Sequence, residues 1–317
     1  MIYNPDLQSS TQRSFSEVLG RIGARYKNLV VLESNLSDTS AVQSFAKNFP
    51  DRFFHFGNAL ETMFGASAGF TVRGKMPLVC AYANLVAGGV WDLLRNYLCY
   101  PNLNIKVAGM RSGMLNSDEG ATNQALEDVA LMRSIPNMKV LCPADATETR
   151  KMVDVMFSDY GPSYIRLAAA PLPDLYDDAH VFQIGKGHIY KPGNDVCIFA
   201  YGVALHMALD AALMLERQEI SVMVVNMSSI APLDKDLVVE CAKSVNHLVT
   251  VEDHSINGGL GTAVAEVLAE RYPAKLLAMG IDGFGESGKV DDLFRKYGLT
   301  SASIADRIVQ YFGLSES

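Results

Sequence analysis

Short apolar runs alternate along the chain with stretches whose apolar residues recur at helical spacing. The runs LVVLES (29–34), FFHFG (53–57), PLVCAYA (77–83), NIKVAGM (104–110), MKVLCPA (138–144) and SYIRLA (163–168) are β-rich and continuous rather than alternating. Runs of that kind predict parallel strands buried on both faces of a sheet. Between them, SFSEVLGRIGARY (14–26) sets Phe15, Val18, Leu19 and Ile22 at helical spacing. The alternation predicts a layered α/β domain. Past residue 170 the pattern breaks into a segment rich in Pro, Gly and Asp, which predicts a linker over 171–194. The rhythm then resumes with VCIFAYG (196–202), SVMVVNM (221–227), HLVTVEDH (247–254) and KLLAMGID (275–282). The expected architecture is therefore two α/β domains, 1–170 and 195–317, each a mostly parallel sheet flanked by helices.

Composition narrows the class. At 317 residues the chain is long for a single core and suits two. Lys plus Arg number 27 against 35 Asp plus Glu, a net charge of −8, which argues against nucleic acid or an anionic membrane as the main partner. No apolar stretch reaches the roughly 18–20 residues that span a bilayer, and MIYNPDLQSSTQRSF lacks a signal-peptide layout, so a cytoplasmic location is expected. The five cysteines are widely spaced and read as reduced core residues. The six histidines show no metal-ligand spacing, so no metal site is expected on this chain; His55 reads as a core-strand residue and His254 as lying near an interface or turn.

Weaker signals stay open at this level. GGLG (258–261) after VEDH reads either as a tight turn or as a strand-to-helix turn whose amides meet an anion. Glu127 and Asp128 read as helix residues in solvent or in an ion pair. No Walker sequence and no GxGxxG after a strand is present.

Longer segments are more specific. Residues 100–148, which include RSGMLNSDEGATNQALEDVALMRSIPNM, resemble transketolases, particularly their separately encoded C-terminal halves. DRFFHFGNALETMFGASAGF, VTVEDHSINGGLGTAVAEVLAE and FGESG fit the same family in the same order. The resemblance implies a thiamine diphosphate enzyme cut in two, in which this chain supplies the pyrimidine-binding and C-terminal domains. The family's GDG signature for diphosphate and Mg²⁺ is absent. The resemblance thus implies a partner subunit that carries it and binds Mg²⁺, an α2β2 heterotetramer, and no activity alone.

Residue by residue, the carry-over is incomplete. The family's proton-relay glutamate, three residues after Gly in GIAEQNM-like stretches, is matched by Leu60 in GNALETM, with Glu61 one residue later. One residue on a helix turns a side chain by about 100°, so Glu61 serves as the catalytic carboxylate only if the helix start slips by one; otherwise Leu60 lines the pocket. Where the family stacks aromatic rings on the pyrimidine, AYANL supplies Tyr82 and Leu85. Against HAGxxxGEDGATHQ-like stretches, Arg111, Glu119 and Asn123 replace a His, an Asp and a His that contact substrate. Arg111 reads either as a bidentate contact to an anionic substrate group or as a structural ion pair. Thr39 is expected to line the pocket, and Ala169 stands where a second Arg would hold a sugar phosphate, after the retained Arg166. These losses predict a donor other than an ordinary pentose phosphate, such as a non-phosphorylated ketose or a small 2-oxo acid.

The leading expectation is a transketolase-like transferase subunit moving a two-carbon ketol or acyl unit. The β subunits of 2-oxo-acid decarboxylases and dehydrogenases share the layout, although QALEDVALMRSIPNM favours the transketolase side. The third reading is a non-catalytic scaffolding subunit with a degenerate cofactor pocket.

Overall fold

The structure, a computed structural model, describes residues 9–34 and 40–314. In chain order the first half contains α1 (Thr11–Arg25), β1 (Leu29–Glu33), α2 (Ser40–Asn48), β2 (Phe53–His55), α3 (Leu60–Val72) and β3 (Met76–Tyr82). It continues with α4 (Trp91–Leu93, between π-helical turns at Leu85–Gly89 and Leu94–Cys99), β4 (Lys106–Met110), α5 (Asp128–Arg133), β5 (Lys139–Leu141), α6 (Ala146–Ser158) and β6 (Ser163–Arg166). The second half contains β7 (His188–Lys191), β8 (Val196–Ala200), α7 (Val203–Glu216), β9 (Val222–Asn226), β10 (Ser229–Ala231) and α8 (Lys235–Ser244). It ends with β11 (His247–Ser255), α9 (Leu260–Arg271), β12 (Leu276–Ile281), α10 (Val290–Lys296) and α11 (Ser301–Phe312).

The chain forms two α/β domains, as the periodicity predicts. The first sheet has seven strands in the order β10-β5-β6-β4-β3-β1-β2, and the second has five in the order β12-β11-β8-β9-β7. Every pairing is parallel except those of β10 with β5 and of β7 with β9. The central strands β1, β4, β8 and β9 are buried along their whole length, which is why they read as unbroken apolar runs. Helix α1 turns Phe15, Val18, Leu19 and Ile22 into the core, and Ser10 caps it by accepting from the Arg13 amide. All five cysteines are buried and free of disulfides. Among the described residues no helix is long and apolar enough to cross a membrane.

Two edge strands escape the sequence pattern. His188–Lys191, inside the stretch read as linker, is β7 and pairs with β9 of the second sheet. Ser229–Ala231 leaves the second domain to pair with β5 of the first, so each sheet ends on an antiparallel strand and the two domains share one. His55 is also placed differently from expectation. It lies on the edge strand β2 with its side chain 45% exposed, and it is bonded through Nδ1 to the buried Glu33 carboxylate.

Side chains buried between the domains join them. Arg166, the last residue of β6, donates from Nε to Asp128 (3.0 Å) and from Nη1 to Asp253 of β11 (2.7 Å). Its Nη2 reaches the carbonyls of Ala125 and Asp253. Tyr164 adds a hydrogen bond to Asp128 at 2.7 Å, and all four side chains are buried. Burial opposes the charge on Arg166, but Asp128 and Asp253 hold it charged. Burial likewise pushes Asp253 up, against the pull of Arg166. His254 completes the seam: its ring accepts at Nε2 from the Ala130 amide and donates from Nδ1 to the Ser255 carbonyl.

Removing the cation from between two buried carboxylates is expected to cost about 3–5 kcal/mol. Arg166→Ala should therefore lower the urea midpoint of both domains together, and Arg166→Lys, lacking the fork, should not restore it. A midpoint within experimental error of the wild type would contradict this role.

Candidate functional site

The carboxyl ends of parallel strands are where an open α/β sheet builds a crevice. In the first sheet, that edge carries Glu33 and His55 at the ends of β1 and β2, Tyr82 at the end of β3, and Arg111 directly after β4. The chain leaves β4 sharply. Arg111 adopts φ +52°, in the left-handed region, and its amide is held by Gln12 Oε1 at 3.3 Å. Gly113 follows at φ +73°, where a Cβ would overlap Asp253 Oδ2, so only glycine lets the loop cross the buried ion pairs.

The loop from Ser112 to Ala125 is closed at its base by a bridge between those two residues. Its side chains converge on Arg111. Glu119 pairs with the guanidinium, Asn116 donates to Glu119 Oε2 and to the Asn123 carbonyl (3.3 Å each), and the Tyr82 ring centroid lies 5.5 Å from the guanidinium carbon. Arg111 Nε is buried without a hydrogen-bond partner. Arg111, Glu119 and Tyr82 thus meet in one cluster. Asn123 joins it through its backbone carbonyl, with its own side chain half-buried.

The other predicted residues lie along the rim. Helix α3 begins at Leu60, which is half-buried and packs against the core cluster, as Phe54 and Phe56 do. Glu61, in the first turn, is exposed. Leu85 opens the π-helical turn after β3 and is half-buried. Thr39 lies outside the described residues. The site also uses residues outside the set expected from sequence. Gln12 and Asn116 position Arg111 and Glu119, and Asn84 donates to the Thr122 carbonyl (2.7 Å) while its Oδ1 is buried without a partner. Asn116 and Thr122 stand inside the family-like motif, whereas Gln12 carries no local signal.

Two sequence candidates are consumed inside the protein. The amides opening α9 do meet an anion, and it is the chain's own Glu252, which accepts from Leu260 (2.8 Å) and Gly261 (2.9 Å). A Cβ on Gly259 would overlap that carboxylate, which accounts for the glycine there. Arg166 is spent in the buried network with Asp128 and Asp253. Among the described residues no group of three or more His, Cys, Asp or Glu side chains is placed to hold a metal ion.

Comparison with known proteins shows the family. Residues 8–173 match the model of the transketolase pyrimidine-binding domain, and residues 185–304 match that of the transketolase C-terminal domain. The chain is 40% identical over 303 residues to a putative transketolase C-terminal section from Methanocaldococcus jannaschii, covering 94% of this chain and 95% of that one. It is 31% identical to an apulose-4-phosphate transketolase subunit from Actinobacillus succinogenes, covering 88% of this chain and 91% of that one. A solved structure described as a split-gene transketolase, inactive β4 tetramer, superposes with a TM-score of 0.90 at 39% identity, covering 97% of this chain and all of that one. With both domains matched in order along nearly the whole chain, it belongs to the transketolase family, among the C-terminal sections of its split members.

Proposed function

We propose that this chain is the C-terminal subunit of a two-chain, thiamine diphosphate-dependent transketolase-type transferase that moves a two-carbon ketol unit. The observation that carries this reading is the half-built crevice. Tyr82, Arg111, Glu119 and Asn116 are organised against each other, while along the adjoining rim, among the described residues, Leu60 and Leu85 are half-buried and Glu61 is exposed. That rim suits the aminopyrimidine end of the cofactor: apolar side chains and a ring for its faces, and a carboxylate for its ring nitrogen. The diphosphate end and Mg²⁺ find no such fit here, and they belong to an N-terminal partner subunit carrying the GDG signature, in an α2β2 assembly. The neighbour described as an inactive β4 tetramer supports the view that chains of this kind act only with a partner.

When bound, thiamine diphosphate supplies a thiazolium carbon that attacks carbonyl groups and stores their electrons. This chain's residues prepare and surround it. Leu85 and Tyr82 exclude water from the pyrimidine. Glu61, which is exposed at the head of α3 while Leu60 is drawn onto the core, holds a proton at the ring nitrogen. Glu119, Asn116 and Asn123, together with Thr39, orient the substrate's hydroxyl groups.

The charges bear on the substrate. Arg111 is already engaged by Glu119, Arg166 is buried between two aspartates, and Ala169 occupies the position of the family's second arginine. We therefore assign the donor to ketoses other than the ordinary pentose phosphates, with a non-phosphorylated ketose the best fit to this chain's own residues.

Two measurements test this reading on the assembled complex. Glu61→Gln should slow exchange of the cofactor's thiazolium proton by about 10²-fold, within the range of general acid–base catalysis; an unchanged rate would remove Glu61 from the relay. In a donor panel, a non-phosphorylated ketose should be used with higher kcat/KM than xylulose 5-phosphate. Glu119→Gln, which releases Arg111, should narrow that gap by lowering the KM for the phosphorylated sugar. Efficient turnover of xylulose 5-phosphate by the wild type would overturn the donor assignment.

A further inference from the structure

The segment after β12, which contains FGESG (284–288), lies in the second domain yet packs against the crevice loop of the first. Gln124 donates from Nε2 to the Glu286 carbonyl at 3.0 Å, Ser287 Oγ donates to the Asp118 carbonyl at 2.9 Å, and the Gly288 amide donates to the Ser117 carbonyl at 3.0 Å. These contacts straddle Glu119 and hold the loop on both sides of it. Gln124 is 3% exposed, and its Oε1 is buried without a partner. A Cβ on Gly285 would overlap that oxygen. Gly285 has no left-handed backbone to explain it, and a side chain there would have to push the Gln124 amide aside.

We propose that residues 285–288 form a brace from the second domain that sets the position of Glu119 and Asn123, and that Gln124 is the positioning residue through which Gly285 acts. The inference rests on the substrate-facing role assigned above to Glu119 and Asn123. It gives the C-terminal domain a part in substrate recognition although none of its residues need touch the sugar. The added methyl of Gly285→Ala would displace the Gln124 amide and break its bond to Glu286, freeing the loop's C-terminal side. Gln124→Ala would do the same directly, so the two substitutions must be strongly non-additive.

The test is amide hydrogen exchange on the assembled complex, with Gly285→Ala, Gln124→Ala and the double variant. Exchange over 117–124 should rise about tenfold in each single variant, rise no further in the double, and stay unchanged in β8 and β11. Unchanged exchange over 117–124, or additive effects, would overturn the brace. Should Gly285→Ala fail to fold, Ser287→Ala removes one donor without adding bulk and should raise exchange over the same stretch; no rise would overturn the proposal. In turnover assays the single variants should raise the sugar KM about tenfold with kcat and cofactor affinity unchanged, and a kcat loss at constant KM would contradict substrate positioning. Because exchange needs no substrate, a complex without ketol-transfer activity would refute the proposed function while leaving the brace itself decided.

Discussion

The structure turns on one guanidinium. Arg166 ends β6 in the first domain and bonds Asp128 of the first and Asp253 of the second, all out of water. Two acidic side chains share one cation where charge is expensive, and burial pushes the Asp253 carboxyl up against the pull of Arg166. The hydrogen bond from Tyr164 and the fork geometry of the arginine offset part of that cost. The same guanidinium holds the Ala125 carbonyl, at the foot of the crevice loop, and Asp253 lies where a side chain at Gly113 would have to go. Domain docking and loop placement are therefore one interaction seen from two sides. A buried ion network contributes little to net stability compared with an apolar seam, but breaking it is costly. Here it ties the foot of the crevice loop to the second domain.

In the proposed reading, the two parts of the site are supported unequally by this chain. The polar cluster around Arg111 is supported from below by Gln12 and Asn116, and from the side by the second domain. Among the described residues, the rim at Leu60, Glu61 and Leu85 is left half-buried or exposed on its outer side. In the proposed assembly the partner chain supplies that side, together with the diphosphate and metal ligands. The chain's contribution is then a rigid pyrimidine-side wall and a pre-set loop, which is what oriented catalysis requires of a scaffold.

Much of this is legible in the sequence, because it depends on local pattern. The buried parallel strands stand out as continuous apolar runs, and the family match follows from long motifs. β7 and β10 do not stand out, since three- and four-residue antiparallel edges have no period to read and owe their existence to a neighbouring strand. The roles of Arg166, Asp128 and Asp253 are hidden as well. Arg166 and Asp253 are separated by 87 positions in the chain and meet only after both domains fold. The amides of GGLG read as an anion site or a tight turn, but that Glu252, six residues earlier than Gly258, fills it is visible only in three dimensions. His55 departs from expectation because FFHFG has the pattern of a core strand, whereas the chain uses it at the sheet's edge, where a half-exposed imidazole can pair with Glu33.

The central claim is that this chain is half of a cofactor site. Calorimetry with thiamine diphosphate and Mg²⁺ tests it most directly, on this chain alone, on a partner chain with the GDG signature alone, and on their mixture. Saturable binding is predicted only in the mixture. A stable complex of the two chains that binds no cofactor would contradict the claim, as would full-affinity binding by this chain alone.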